Sequence, residues 1–102
     1  MTNNQVIDAF LARHPGQSGS LRTDGQTIWT YATPLAEHDG HAILLNIEGY
    51  SHTSSCHRTA LLKAMTYAGY HDYDLSVPAP ESWRRTGRYD GRLSPALYVK
   101  ED

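Results

Sequence analysis

The sequence predicts an α+β fold: a helix, a three-stranded antiparallel sheet, a second helix, and then an irregular C-terminal extension with a candidate late strand. Three observations carry this reading. Apolar residues recur at helical spacing in two separate stretches, an Asp-Gly dipeptide stands between two β-rich runs, and an unbroken apolar run follows them. With 102 residues and 39% apolar content, the chain fits a single α+β domain, residues 1–102, around one core. The core is expected over about residues 4–69, with residues 70–102 as the extension.

Val6, Ile7, Phe10 and Leu11 form the stripe of a short amphipathic helix over about residues 4–13, with Asn3 or Asn4 placed to cap it. His14-Pro15-Gly16 ends it, because proline disfavours helix in the residue before it and glycine turns easily. Residues 17–20 read as loop. Asp24-Gly25 then predicts a tight hairpin between residues 20–23 and 26–31, on the expectation that both central turn positions take positive φ. Residues 33–36 read as the end of that second strand and His38-Asp39-Gly40-His41 as a turn. Residues 42–47 form a third strand, covered on one face and partly on the other.

The second helix is expected over about residues 55–68. Ala60, Leu61, Ala64, Met65 and Ala68 give it an apolar stripe, and Gly69 supplies its stop. From Tyr70 onward the text is irregular, with Pro78, Pro80 and Pro95, except for a strand-like run at residues 96–100.

The net charge is −2, which argues against a surface devoted wholly to nucleic acid, but the charge is unevenly placed. Residues 1–80 carry four basic residues against seven carboxylates, a balance of −3. Residues 82–92 carry Arg84, Arg85, Arg88 and Arg92 against Asp90 alone, a balance of +3. Such asymmetry points to a local binding surface. The single cysteine excludes an internal disulfide and suits a reducing compartment. No signal-peptide pattern and no membrane-spanning run is read, so a cytoplasmic protein is expected.

Two stretches concentrate chemistry. The first is Tyr50-Ser51-His52-Thr53-Ser54-Ser55-Cys56-His57, at the expected start of the second helix. Thr53 or Ser54 is expected as the N-cap, since a hydroxyl there accepts from the first unpaired N–H groups. Thr53, Ser54, Ser55 and His57 together also suit an anion resting on the helix start. His57 is expected in the first turn, kept neutral by the helix dipole, donating one hydrogen bond and accepting another to pin the preceding loop to the sheet. Zinc on His52, Cys56 and His57 is disfavoured, because neighbouring residues on a helix diverge by about 100° and no second ligand pair follows. A Cys56 nucleophile lacks an identifiable base. No cofactor and no metal is expected.

The second stretch contains Trp83, Arg84, Arg85, Arg88, Tyr89 and Arg92. Arginine forks pair with phosphates or carboxylates, and the aromatics either stack on bases or anchor a protein interface. The plainer reading packs Trp83 back on the sheet and leaves the arginines in solvent. The remaining histidines, His14, His38, His41 and His71, stand in turn-like contexts, and His71-Asp72-Tyr73-Asp74 reads as loop.

Tyr31-Ala32-Thr33-Pro34-Leu35-Ala36, a strand, and then the run from Tyr50 to His57 resemble a family of short uncharacterised proteins found mainly in bacteriophage genomes. That family's pattern is a tyrosine-rich strand, Thr-Pro-hydrophobic-Ala, and later aromatic-Ser-x-Thr-Thr-Ser-x-His at the head of a helix. The likeness covers roughly residues 18–69. Ser54 replaces the pattern's second threonine, and Cys56 occupies a variable position that is often basic, which speaks against a catalytic thiol. The element order also looks like the double-stranded-RNA-binding domain, but that module needs a lysine-rich start to its last helix and this chain offers only Arg58 and Lys63.

The expected function is therefore that of a small non-enzymatic, phage-type accessory protein. It would bind a host protein, a ribonucleoprotein complex such as an anti-CRISPR-like defence target, or nucleic acid, in the host cytoplasm and away from any membrane. The alternative is a small hydrolase or transferase using His57 with Ser54 or Ser55.

Overall fold

The computed structural model describes residues 1–47, 52–85, 91 and 94–100, with positions 52–54 described by backbone alone. The elements are α1 (Asn3–Leu11), β1 (Gly16–Ser18), β2 (Leu21–Thr23), β3 (Thr27–Thr30), β4 (Thr33–Asp39), β5 (Ala42–Leu45), α2 (His52–Tyr67), β6 (Tyr70–Ser76), α3 (Glu81–Arg84) and β7 (Ala96–Lys100). The strands form one antiparallel sheet in the order β1-β2-β3-β4-β5-β7-β6. The α+β class stands, but among the described residues a seven-stranded sheet with three helices replaces the expected three-stranded sheet with two. The candidate late strand at residues 96–100 is β7, and with β6 it brings two segments of the expected irregular extension into the sheet.

Each missed strand has a local reason. β1 contains no apolar residue, and pairing with β2 defines it. A Cβ at Gly16 would meet the Met1 sulfur at 2.8 Å, the far end of a flexible side chain that can move aside. The expected second strand is really two: the chain reverses at Tyr31-Ala32, so that Thr30 pairs with Thr33. Tyr31 makes this turn at φ 54°, in the left-handed region that aromatic residues rarely enter. β4 then runs through Asp39, which puts His38 inside a strand. β6 holds His71 and Asp72, which read as loop because almost all of this edge strand is exposed. A register shift between Asp72 and Ser76, with Asp74 at φ 55°, bends that edge in the manner that hinders further pairing.

The correctly placed elements follow sequence chemistry, with details corrected. Thr2, not Asn3 or Asn4, caps α1: its hydroxyl accepts from the Gln5 N–H and the Gln5 side chain accepts from the Thr2 N–H. The helix ends with Arg13 at φ 62°; the Arg13 N–H donates to the Phe10 carbonyl and the His14 N–H to that of Ala9. In the Asp24-Gly25 turn only Gly25 takes positive φ. Asp24 works through its side chain instead, with Oδ1 accepting from the N–H groups of Gln26 and Thr27 at 2.9 Å. A Cβ at Gly25 would meet the Arg13 carbonyl at 2.7 Å, so this turn and the end of α1 require glycine there.

Strand alternation sorts the sheet into two faces. Leu21, Ile28, Ala36, Ile43 and Leu45 lie under Val6, Ile7 and Phe10 of α1 and Leu61 and Met65 of α2. The opposite face carries Glu37, Leu44 and Trp29, with the Arg22 guanidinium 4.3 Å over the Trp29 ring. On that face Glu37 accepts from Thr27 Oγ1 at 2.6 Å and from Ser82 Oγ at 2.7 Å, which holds α3 against the sheet. Among the described residues no helix is long and apolar enough to cross a membrane.

His38 is the buried ionisable side chain on the helix-covered face. Its side chain is 2% exposed, its ring lies 4.4 Å from that of Phe10, and Nε2–H donates to the Phe10 carbonyl at 2.7 Å. Nδ1 finds no hydrogen-bond partner among the described residues. Burial, with a further push from Arg13, lowers its pKa below the ordinary 6.5, although the hydrogen bond to Phe10 opposes this. The unfolded chain then binds a proton more readily than the folded one, so stability is full above the unfolded pKa and declines as pH falls below it. The melting temperature should hold level above neutral pH and drop between pH 6.5 and the lower folded value. His38→Gln, which keeps a donor toward Phe10 without titrating, should flatten that decline in a scan of melting temperature against pH.

Candidate functional site

Helix α2 begins at His52, three residues before the expected start. Thr53 and Ser54 therefore lie inside its first turn and neither is the N-cap. Their side chains, like Tyr50 and Ser51 as a whole, fall outside the described residues. Ser55 closes the first turn half-buried, with its carbonyl accepting from Thr59 Oγ1 at 2.9 Å. Cys56 is exposed.

His57 stands in the second turn, half-buried against the sheet. Its Nδ1 lies 2.8 Å from Thr30 Oγ1 and its Nε2 lies 3.3 Å from Asn3 Nδ2. An amide nitrogen only donates, so Nε2 accepts from Asn3 and Nδ1–H donates to Thr30. His57 thus ties α2 to the sheet at β3, as expected, and also to the first residue of α1, while residues 48–51 of the loop it was expected to pin lie outside the described residues. Burial lowers its pKa below the ordinary value. Thr30 is fully buried, so this chain of hydrogen bonds runs into the core rather than toward a substrate.

The second stretch lies on the other face of the sheet. Trp83 is fully buried, while Arg84 and Arg85, which follow it directly, are exposed. The loop that carries them is closed at its neck, where the Val77 N–H donates to the Pro95 carbonyl at 3.2 Å between β6 and β7. Ser82 fastens it from above through Glu37. Arg85 approaches Glu81 at 3.8 Å with the two side chains 75% and 82% exposed, an ion pair that solvent screens almost entirely. The structure thus makes Trp83 an anchor and the arginines its exposed display. Arg88, Tyr89 and Arg92 fall outside the described residues.

The helix-start group and the arginine segment do not form one site, because α2 and α3 cover opposite faces. Asn3, Thr30, Glu37 and Ser82 carry polar contacts around them; sequence reading took Asn3 only as a helix cap and gave the other three no role. Pairing Thr27 with Glu37 requires β4 as a separate strand, and that signal was masked by a turn lacking glycine or asparagine. Among the described residues no three histidine, cysteine, aspartate or glutamate side chains gather closely enough to hold a metal.

No protein-family model, no curated protein and no solved structure matches the chain.

If His57 and Thr30 act as one structural tie, Thr30→Val and His57→Leu should each lower stability. Chemical denaturation of the double variant should reveal a coupling of roughly 0.5–3 kcal/mol, whereas independent residues would give additive losses.

Proposed function

We propose that this chain is a small non-enzymatic accessory protein that binds a macromolecular partner through the arginines displayed around α3. The observation that carries the proposal is the pairing of a fully buried Trp83 with exposed Arg84 and Arg85 on a loop closed by the sheet. A buried aromatic anchor fixes where the guanidinium groups stand, and a fixed fork loses less freedom on meeting a phosphate or carboxylate. Arg88, Tyr89 and Arg92 follow closely in the sequence. The charge contrast supports this reading, with a positive segment set on a negative body.

The partner class is a host protein or ribonucleoprotein complex, or nucleic acid. The resemblance to short bacteriophage proteins favours a host defence complex, in an anti-CRISPR-like role, or a nucleic-acid-handling one. We take the site of action to be the host cytoplasm, where the single cysteine stays reduced. A hydrolase or transferase using His57 with Ser54 or Ser55 has less support, because both ring nitrogens of His57 already bind Asn3 and Thr30.

The test is capture from bacterial lysate on the immobilised full chain, with and without nuclease, followed by mass spectrometry. Arg84→Ala with Arg85→Ala should leave the melting temperature unchanged and weaken the captured species by on the order of tenfold, with a shallower salt dependence. Nuclease sensitivity would identify nucleic acid as the bridge. An unchanged set of captured species with the same salt response would refute the arginine surface.

A further inference from the structure

Helices α1 and α2 leave an open groove of about 730 Å³ between their outer surfaces. Its apolar lining comes from Leu11 on α1 and from Ala60, Ala64 and Ala68 on α2, all half-buried, over Ile7 at the bottom. Asp8 stands midway along the α1 wall and Lys63 midway along the α2 wall, both exposed. Neither makes an ion pair among the described residues. At the end of the α2 wall Tyr67 is 96% exposed, a full aromatic ring left in water beside an apolar trough.

We propose that this groove is a self-association face, on which a second copy of the chain packs about a two-fold axis running along the groove. The argument is charge complementarity under symmetry. Such an axis lays the α1 wall of each copy over the α2 wall of the other and keeps position along the groove unchanged. Asp8 of one copy then meets Lys63 of the second, and the reverse pair forms at the same time. A wall carrying one acid facing a wall carrying one base is complementary to itself only in this arrangement. An axis across the groove would set Asp8 on Asp8 and Lys63 on Lys63. The alanines permit close approach of the helices, and each Tyr67 ring leaves water over the second copy's α1. The face is separate from the arginine segment, so dimer formation and partner capture are independent readouts.

Sedimentation velocity of the full chain over about 1–200 µM tests this, since self-association makes the average mass depend on concentration. Asp8→Lys gives two positive walls and Lys63→Asp two negative ones, so each variant alone should dimerise at least about tenfold more weakly. Both positions are exposed, and circular dichroism confirms that the variants fold. An equimolar mixture of the two should regain association as a heterodimer, because each lysine then faces an aspartate, and added salt should weaken that rescue. The proposal is overturned if the wild-type chain stays monomeric throughout, which would leave the groove to a foreign helix or to solvent. It is equally overturned if the single variants dimerise like wild type, or if mixing them restores nothing.

Discussion

The insertion of β7 between β5 and β6 is the constraint on which the remaining architecture depends. Ile43 pairs with Tyr98 and Leu45 with Ala96 on one side, while Tyr70 pairs with Lys100 on the other. Both neighbours run antiparallel to β7, so β5 and β6 point the same way, with α2 as the crossover that separates them. Without β7 the edge strand β6 would lose every backbone partner, and the loop bearing α3 would lose its neck. The segment between β6 and β7 is thereby closed at its ends by the Val77 N–H bond to the Pro95 carbonyl. Long-range pairing of this kind closes only after the intervening chain is in place.

The two faces of the sheet are covered by different means. On one, α1 and α2 bury an apolar core that is tied at two points by neutral histidines, His38 to the Phe10 carbonyl and His57 to Thr30 and Asn3. On the other, Glu37 receives Thr27 and Ser82, and the neighbouring Trp83 is fully buried. Burial holds both histidines neutral, so their hydrogen bonds cost little near pH 7 and fail in acid. Of the hydroxyl- and imidazole-rich run at the head of α2, His57 joins the helix to β3 and α1. Arg84 and Arg85 stand exposed after Trp83, and the Arg85 pair with Glu81 is screened by solvent.

Much of this was legible in the residues, and the failures have physical causes. Periodicity located both long helices, Asp24-Gly25 located a hairpin, and the apolar run located β5, because each of these owes its form to local spacing. β1, β6 and the break between β3 and β4 owe theirs to partners far along the chain. Tyr31 enters the left-handed region without glycine or asparagine to announce it, and β6 is exposed on nearly every residue, so neither carries the pattern of a buried strand. The start of α2 was set three residues late because several hydroxyls compete for the cap. The structural partners of His57 could not be read at all, since residues 3, 30 and 57 meet only once the sheet and helices have packed.

Native-state hydrogen exchange tests the central claim most directly, because it reports strand by strand how much of the fold must open to expose an amide. If β7 is integral, the amides of Leu97, Tyr98 and Val99 that pair within the sheet will exchange as slowly as those of β3 and β4, and the neck amide of Val77 will be protected with them. Rapid exchange of β7, with β3 and β4 still protected, would return residues 70–102 to the status of a loosely attached tail and contradict the account.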